Sequence, residues 1–208
     1  MPEEKYITAS CIINKGVVCK NEKVLFKEKD QPATEFLLSV YKHFNIDYPK
    51  FYKMDSLSKL GFLATEILVK DSLDKSGYHA DEAGIVFANA NASLDADLKY
   101  WESAKNIPSP ALFVYTLPNI VIGEICIRNN FKGENAFFVQ EKFDIPFTEF
   151  YVNNLLEKHN LKLCICGWVD IVGEEYKAVV YLIEKERKDN AELFTTENIY
   201  NIYELANG

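Results

Sequence analysis

The spacing of apolar positions changes repeatedly along the chain, from short β-rich runs to stretches with a helical repeat. YITASCIIN at 6–14 is β-rich and predicts a first strand, with a hairpin following through GVVCKNEKVLF. From Ser56, with Asp55 before it as a cap, SLSKLGFLATEILVKDSL carries Leu57, Leu60, Leu63 and Ile67 at helical spacing and predicts an amphipathic helix. GIVFANA at 84–90 is a continuous apolar run between Gly84 and Asn89, the pattern of a strand buried on both faces. Ser93 is placed to cap a helix through LDADLKYWESA, which closes before Pro108. SPALFVYTLPNIVIGEICIRNNFKG at 109–133 reads as a helical stretch interrupted at Pro118 and ended by Gly133 as a C-cap.

Next come a strand, NAFFVQ at 135–140, a helix from about Pro146 to His159, a strand in LKLCICGWVDIV and a last strand in KAVVYLIEKE. Strands alternating with helices, then two strands joined through Gly173-Glu174-Glu175, predict an α/β sheet that is mostly parallel with one antiparallel strand. The tail NAELFTTENIYNIYELANG is polar with spaced aromatics, which fits a docking segment or a short closing helix.

Composition narrows the partners. The 208 residues are 48% hydrophobic and 26% charged, as in an ordinary globular protein, and suffice for a real core. A net charge of −8 excludes a phosphate-tracking surface, because nucleic-acid binding needs clustered Lys and Arg; the short basic stretches near Lys15–Lys20 and at Lys185-Glu186-Arg187-Lys188 are diluted by acids. MPEEKYITASCIIN has acids ahead of its apolar run and matches neither a signal peptide nor a membrane span, so a cytoplasmic protein that binds no membrane is expected. Five cysteines without framework spacing fit a reducing compartment.

Most chemical signatures are missing: there is no G-x-G-x-x-G after a strand, no phosphate-binding loop ending in Gly-Lys and no G-x-S-x-G elbow. His43, His79 and His159 are far apart, and none has a partner at metal-ligand spacing. Cys164 and Cys166 share one face of an apolar strand and read as small buried hydrophobes, since zinc would want further ligands. Cys11, Cys19 and Cys126 also sit in apolar runs, away from any helix N-terminus that would favour a thiolate. Asn91-Ala92-Ser93 matches a glycosylation acceptor but is more simply a helix cap. No cofactor and no metal are expected.

FYKMDSLSKLGFLATEILVKDS, GIVFANANASLDAD, IPSPALFVYTLPNIVIGEICIRNNFKGEN and LCICGWVDIVGEE, in that order, resemble the N-terminal half of β-ketoacyl synthases of the thiolase superfamily. The likeness runs from about residue 5 to 184, and SPALFVYTLPNIVIGEI is its most specific piece. It implies a thiolase-like half-domain, a mixed five-stranded sheet, mostly parallel with one antiparallel strand and flanked by helices, over residues 1–188, with 189–208 as a tail or closing helix. In that family the strand after Gly133 would lead to a turn bearing a catalytic Cys at the N-terminus of a buried helix. The equivalent place here falls at or near Lys142, with Gln140 or Glu141 if the turn is shorter, and none is a thiol. The family's C-terminal half also supplies two histidines that this chain does not encode, so the acid–base and oxyanion contributions are missing with the nucleophile.

Two further expectations concern surfaces. Phe147, Phe150, Tyr151, Val152, Leu155 and Leu156 form a broad apolar face of the helix after the turn, while Glu149, Asn153, Asn154, Glu157 and Lys158 form a polar one that expects water. That suits a half-domain with no second sheet above it. The strand Ala136-Phe137-Phe138-Val139 corresponds to the one that family dimers pair across their twofold axis, and it lacks the Lys or Pro that protects a free edge. The resemblance therefore implies a homodimer, or a heterodimer with a full-length ketosynthase, in a carrier-protein-dependent fatty-acid or polyketide pathway such as polyene pigment synthesis, with acyl carrier protein as a further partner. The chain would then be an acyltransferase relative without activity of its own. Alternatives are an enzyme of altered chemistry using Lys142 or Glu141 as acid or base, and an acyl-chain or small-molecule binder.

Overall fold

The computed structural model describes residues 3–207, so residues 1, 2 and 208 of the ranges above lie outside the described residues. Its strands are β1 (Tyr6–Asn14), β2 (Val17–Lys20), β3 (Lys23–Lys27), β4 (Ala83–Asn89), β5 (Asn135–Val139), β6 (Leu163–Val172), β7 (Glu175–Glu184) and β8 (Glu192–Leu193). Its α-helices are α1 (Ala33–His43), α2 (Ser56–Val69), α3 (Leu94–Ala104), α4 (Pro110–Val114), α5 (Ile120–Asn129), α6 (Ile145–Lys158) and α7 (Thr196–Leu205).

One mixed sheet runs β3-β2-β1-β7-β6-β4-β5, with β8 also paired to β1. β4 pairs in parallel with both β5 and β6, whereas β7 is antiparallel to β6 and to β1. Within β5-β4-β6-β7-β1, four strands therefore run one way and β7 alone opposes them, the mostly parallel arrangement with a single reversed strand that the sequence predicts. The count of five needs correction. The β2–β3 hairpin and β8 extend the sheet to eight strands, all three added antiparallel beyond β1.

Side chains alternate strictly between the two faces. Ile85 and Phe87 of β4, Leu163 and Ile165 of β6, and Val180 and Leu182 of β7 face the layer of α1, α2 and α5. Val86, Ala88, Cys164, Cys166, Val179 and Tyr181 face α6 and α7. In β1 a bulge between Ile7 and Ala9 shifts the parity, so Ile7 and Ile12 look to α6 and α7 while Ala9, Cys11 and Ile13 look to α2. Gly167 makes the β6–β7 crossing feasible: its φ is +150°, and a Cβ there would run into the Val179 carbonyl oxygen.

Local signals explain most helix ends. Asp55 caps α2, its carboxylate accepting from Leu57 N–H at 3.3 Å and Ser58 N–H at 3.0 Å. Ser93 precedes α3 but does not cap it through its side chain; its hydroxyl donates to the Thr116 carbonyl at 2.8 Å and ties the start of α3 to the segment after α4. The stretch broken at Pro118 ends at Asn130, not Gly133: Asn130 adopts φ 56° and ψ 38°, a left-handed cap that asparagine tolerates. Gly133 instead lies three residues on, where a Cβ would meet the Ala83 carbonyl at 2.6 Å. Helix α1 was not part of the sequence-based order; it buries Phe36, Leu37 and Val40 under the β1–β3 end of the sheet.

The tail closes the second face. Phe194, Ile199, Ile202 and Ala206 pack against the α6 side of the sheet, and Tyr181, fully buried, donates to the Ile199 carbonyl at 3.0 Å. This changes the expectation for α6. Val152, Leu155 and Leu156 are buried as predicted, but Ile145 and Thr148 join them while Phe150 is 66% exposed. Glu149 accepts from the Thr196 backbone N–H at 2.6 Å, so part of the polar face meets the tail, and Glu157 and Lys158 remain in water.

Candidate functional site

In open α/β sheets ligands bind beyond the carboxyl ends of parallel strands, and here β4 and β5 end side by side at Asn89 and Val139. The turn Gln140–Asp144 leaves β5 at that point and enters α6. Gln140 N–H donates to the Asn89 carbonyl at 2.8 Å, and the Gln140 side-chain oxygen accepts from Asp144 N–H at 3.3 Å. Asp144 in turn accepts from Phe147 N–H at 3.0 Å and caps α6, and Thr148 Oγ1 donates to the Asp144 carbonyl at 2.9 Å. A helix N-terminus stabilises negative charge because its first N–H groups lack partners and its dipole points outward. In this turn the protein's own carboxylate takes that position.

Gln140, Glu141 and Lys142 all face solvent. The residue after them, Phe143, is buried, its ring 5.9 Å from Trp168 and 5.2 Å from Tyr203 of α7. This aromatic cluster fills the space beneath the turn. Five surface cavities of 250–660 Å³ among the described residues lie elsewhere, and none is lined by Gln140, Glu141 or Lys142. On the other side of the strand ends, the buried Asn89 side chain bonds to the Ala92 backbone N–H at 2.9 Å and carbonyl at 2.8 Å, and the Asn91 amide donates to Asp170 at 2.8 Å. These bonds hold Ala92 at a left-handed φ of 48° and close the loop before α3.

No thiol is poised for attack. Burial pushes all five cysteines above their ordinary range: Cys126 to about 11, and Cys11, Cys19, Cys164 and Cys166 also upward, so each is neutral at pH 7. The histidines are dispersed. His43 lies against the Phe26 ring at 4.6 Å, His79 precedes β4, and His159 sits at the far end of α6 with its Nδ1 3.7 Å from Glu134. Among the described residues no group of three or more His, Cys, Asp or Glu side chains is arranged to hold a metal ion, and no helix is long and apolar enough to cross a membrane.

The edge of β5 is treated differently from its turn. β5 is the last strand of the sheet, hydrogen-bonded only to β4 among the described residues. Phe137 packs toward the α5 side, and Phe138 packs edge-on against Phe147 at 4.9 Å and Tyr151 at 5.0 Å, so Ala136–Phe138 are half-buried. Val139 is 57% exposed. Two features of the site went unread in the sequence, the Asp144 cap and the Phe143–Trp168–Tyr203 cluster. The first was available as Asp followed by Ile-Pro, a cap with proline in the first turn; the second depends on where the tail lands.

No family model matches the chain, and no curated protein matches it in sequence. Solved structures do match in fold. The ishigamide ketosynthase/chain length factor aligns with a TM-score of 0.62 at 14% identity over 91% of this chain and 64% of the other. AntDE:AntF, a type II PKS acyl-carrier protein in complex with its ketosynthase bound to the hexaketide, gives 0.62 at 13% over 88% and 63%. A chain of the ketosynthase ApeO in complex with its chain length factor ApeC, from Xenorhabdus doucetiae, gives 0.58 at 13% identity over 99% of this chain and 92% of that one. The chain thus spans about two thirds or less of the first two and nearly all of the third. Its fold is the thiolase-like fold of ketosynthase and chain length factor chains.

Proposed function

We propose that the chain is a ketosynthase-like subunit that performs no acyl transfer itself and acts by pairing with a ketosynthase, in carrier-protein-dependent fatty-acid or polyketide synthesis of the polyene pigment type. The observation that carries this reading is the turn after β5. Where the fold would present a nucleophile to the N-terminus of α6, solvent-facing Gln140-Glu141-Lys142 precede a carboxylate, Asp144, that caps the helix itself. A thioester carbonyl brought there finds neither a thiolate nor free N–H donors for the oxyanion. The unpaired edge Ala136–Val139 supports a pairing role, and the ApeO–ApeC complex supplies a precedent for a ketosynthase with a second subunit.

Residues 1–188 then form the ketosynthase-like domain, with 189–208 its closing segment; acyl carrier protein would meet the pair through the ketosynthase. The acidic balance and free cysteines fit a cytoplasmic setting. Incubated alone with acyl- and malonyl-loaded carrier protein, the purified chain is expected to release no carbon dioxide above the protein-free control. Sustained release, abolished by Lys142→Ala or Glu141→Gln, would replace this reading with an enzyme of altered chemistry.

A further inference from the structure

Helix α3 is amphipathic the wrong way round for a helix with no partner. Its inner side buries Asp95 and Ala96, while Leu94, Leu98 and Trp101, at i, i+4 and i+7, face solvent, with Trp101 69% exposed. The segment after it continues the surface with Ile107, 84% exposed, and with exposed Phe113 and Leu117. Two contacts hold the pieces together: Ser93 Oγ donates to the Thr116 carbonyl at 2.8 Å, and the Tyr100 and Phe113 rings lie 5.4 Å apart. A cleft of about 250 Å³ between Tyr100, Pro108 and Phe113 adds relief to the surface, and its size suits a single large side chain.

Three features identify the occupant. The exposed apolar area is on the order of the roughly 800 Å² that each partner contributes to a standard interface, and above the roughly 300–600 Å² of the largest patch on a typical monomer. The patch is contiguous with the free edge of β5, because Gln140 bonds to Asn89 and the loop from Asn89 to Ser93 leads directly into α3. Its charges are already matched within the chain, Lys99 with Asp95 and Lys105 with Glu102, so a like surface meets it without the repulsion that a net charge of −8 would otherwise cause. A chain of the same fold can extend the β5 edge and cover α3 and α4 in one contact, and a second copy does so by twofold symmetry.

We infer that the α3–α4 surface, together with the β5 edge, is where a second copy of this chain docks when the protein is alone. This rests on the pairing role proposed above and deepens it, assigning most of the buried apolar area to α3 and α4 and leaving the strand to set register. The chain has two tryptophans, and Trp168 is buried at 6% exposure, so Trp101 dominates any change in emission.

The test is light scattering and tryptophan emission of the full chain across a dilution series. The expected result is a dimer with blue-shifted emission that shifts red as it dissociates. Trp101→Asp and Leu98→Asp, both at exposed positions, are expected to weaken the dimer at least about tenfold with unchanged circular dichroism. Trp101→Phe should retain it. A monomer at every concentration, with Trp101 emission that of an exposed indole, overturns the inference without touching the non-catalytic reading, which the carbon dioxide assay decides. A dimer lost only on Phe138→Asp overturns it too, reducing the interface to the strand.

Discussion

The turn after β5 and the strand that leads into it belong to one short segment, yet the protein finishes one and leaves the other open. In the turn, hydrogen bonds are met internally: Gln140 to Asn89 and Asp144, Asp144 to Phe147, with Phe143 sunk among aromatics. Along the strand one side of the backbone has no partner among the described residues, and Val139 with the neighbouring α3 presents apolar surface to water. Unmet hydrogen-bonding groups and exposed apolar area are what association removes. Saturated caps and filled space are what substrate binding cannot use. The contrast teaches that this fold is specialised at its edge and not at its strand ends.

That comparison can be broken or sharpened by substitution. The largest effect is expected where the tail seals the inner face: Ile199→Ala, at a fully buried position, should cost about 2–5 kcal/mol in chemical denaturation. A neutral result would mean that the tail is an appendage and that the inner face is a second open surface. Next, Val139→Lys places a charge on the free edge and should weaken pairing at least about tenfold, while monomer stability changes by no more than about 0.5 kcal/mol. Unchanged association would remove the strand from the interface. Asp144→Ala should cost about 1 kcal/mol, the usual value of a lost N-cap, seen as a small drop in melting temperature.

The smallest effect is the absence of a fast thiol. Each cysteine is held neutral by burial, so alkylation at pH 7 should be slower than for free cysteine. For Cys126, pushed up to about 11, the thiolate fraction grows with pH through the whole range below that value, and labelling should climb with it. A thiol labelled rapidly at neutral pH and levelling off there would expose an activated nucleophile that the geometry lacks.

Much of this architecture was legible in the pattern of residues. GIVFANA read as a doubly buried strand because it is one: β4 lies between β5 and β6 with helices on both faces. Asp55 and the leucines after it specified α2 because both cap and stripe are local features. Strand count failed for a different reason. Whether VVCK and KVLFK join the main sheet depends on β1 offering an edge to them, a tertiary matter that their sequences do not encode. The cap at Asn130 was missed because asparagine and glycine both reach left-handed conformations and only packing chose between Asn130 and Gly133. At the turn, the residues Gln140, Glu141 and Lys142 were visible as non-nucleophiles. Their closure by Asp144, Phe143 and Tyr203 was not, since Tyr203 arrives from a helix about sixty residues further along.

Intact-mass spectrometry after incubation with acyl thioester, as acyl carrier protein or as acyl-coenzyme A, addresses the closed turn most directly. The unmodified mass should persist at all times, because Gln140–Asp144 offers no free nucleophile beside an open helix N-terminus. A stoichiometric acyl adduct, mapped by peptide fragmentation to Gln140, Glu141 or Lys142, would contradict the account.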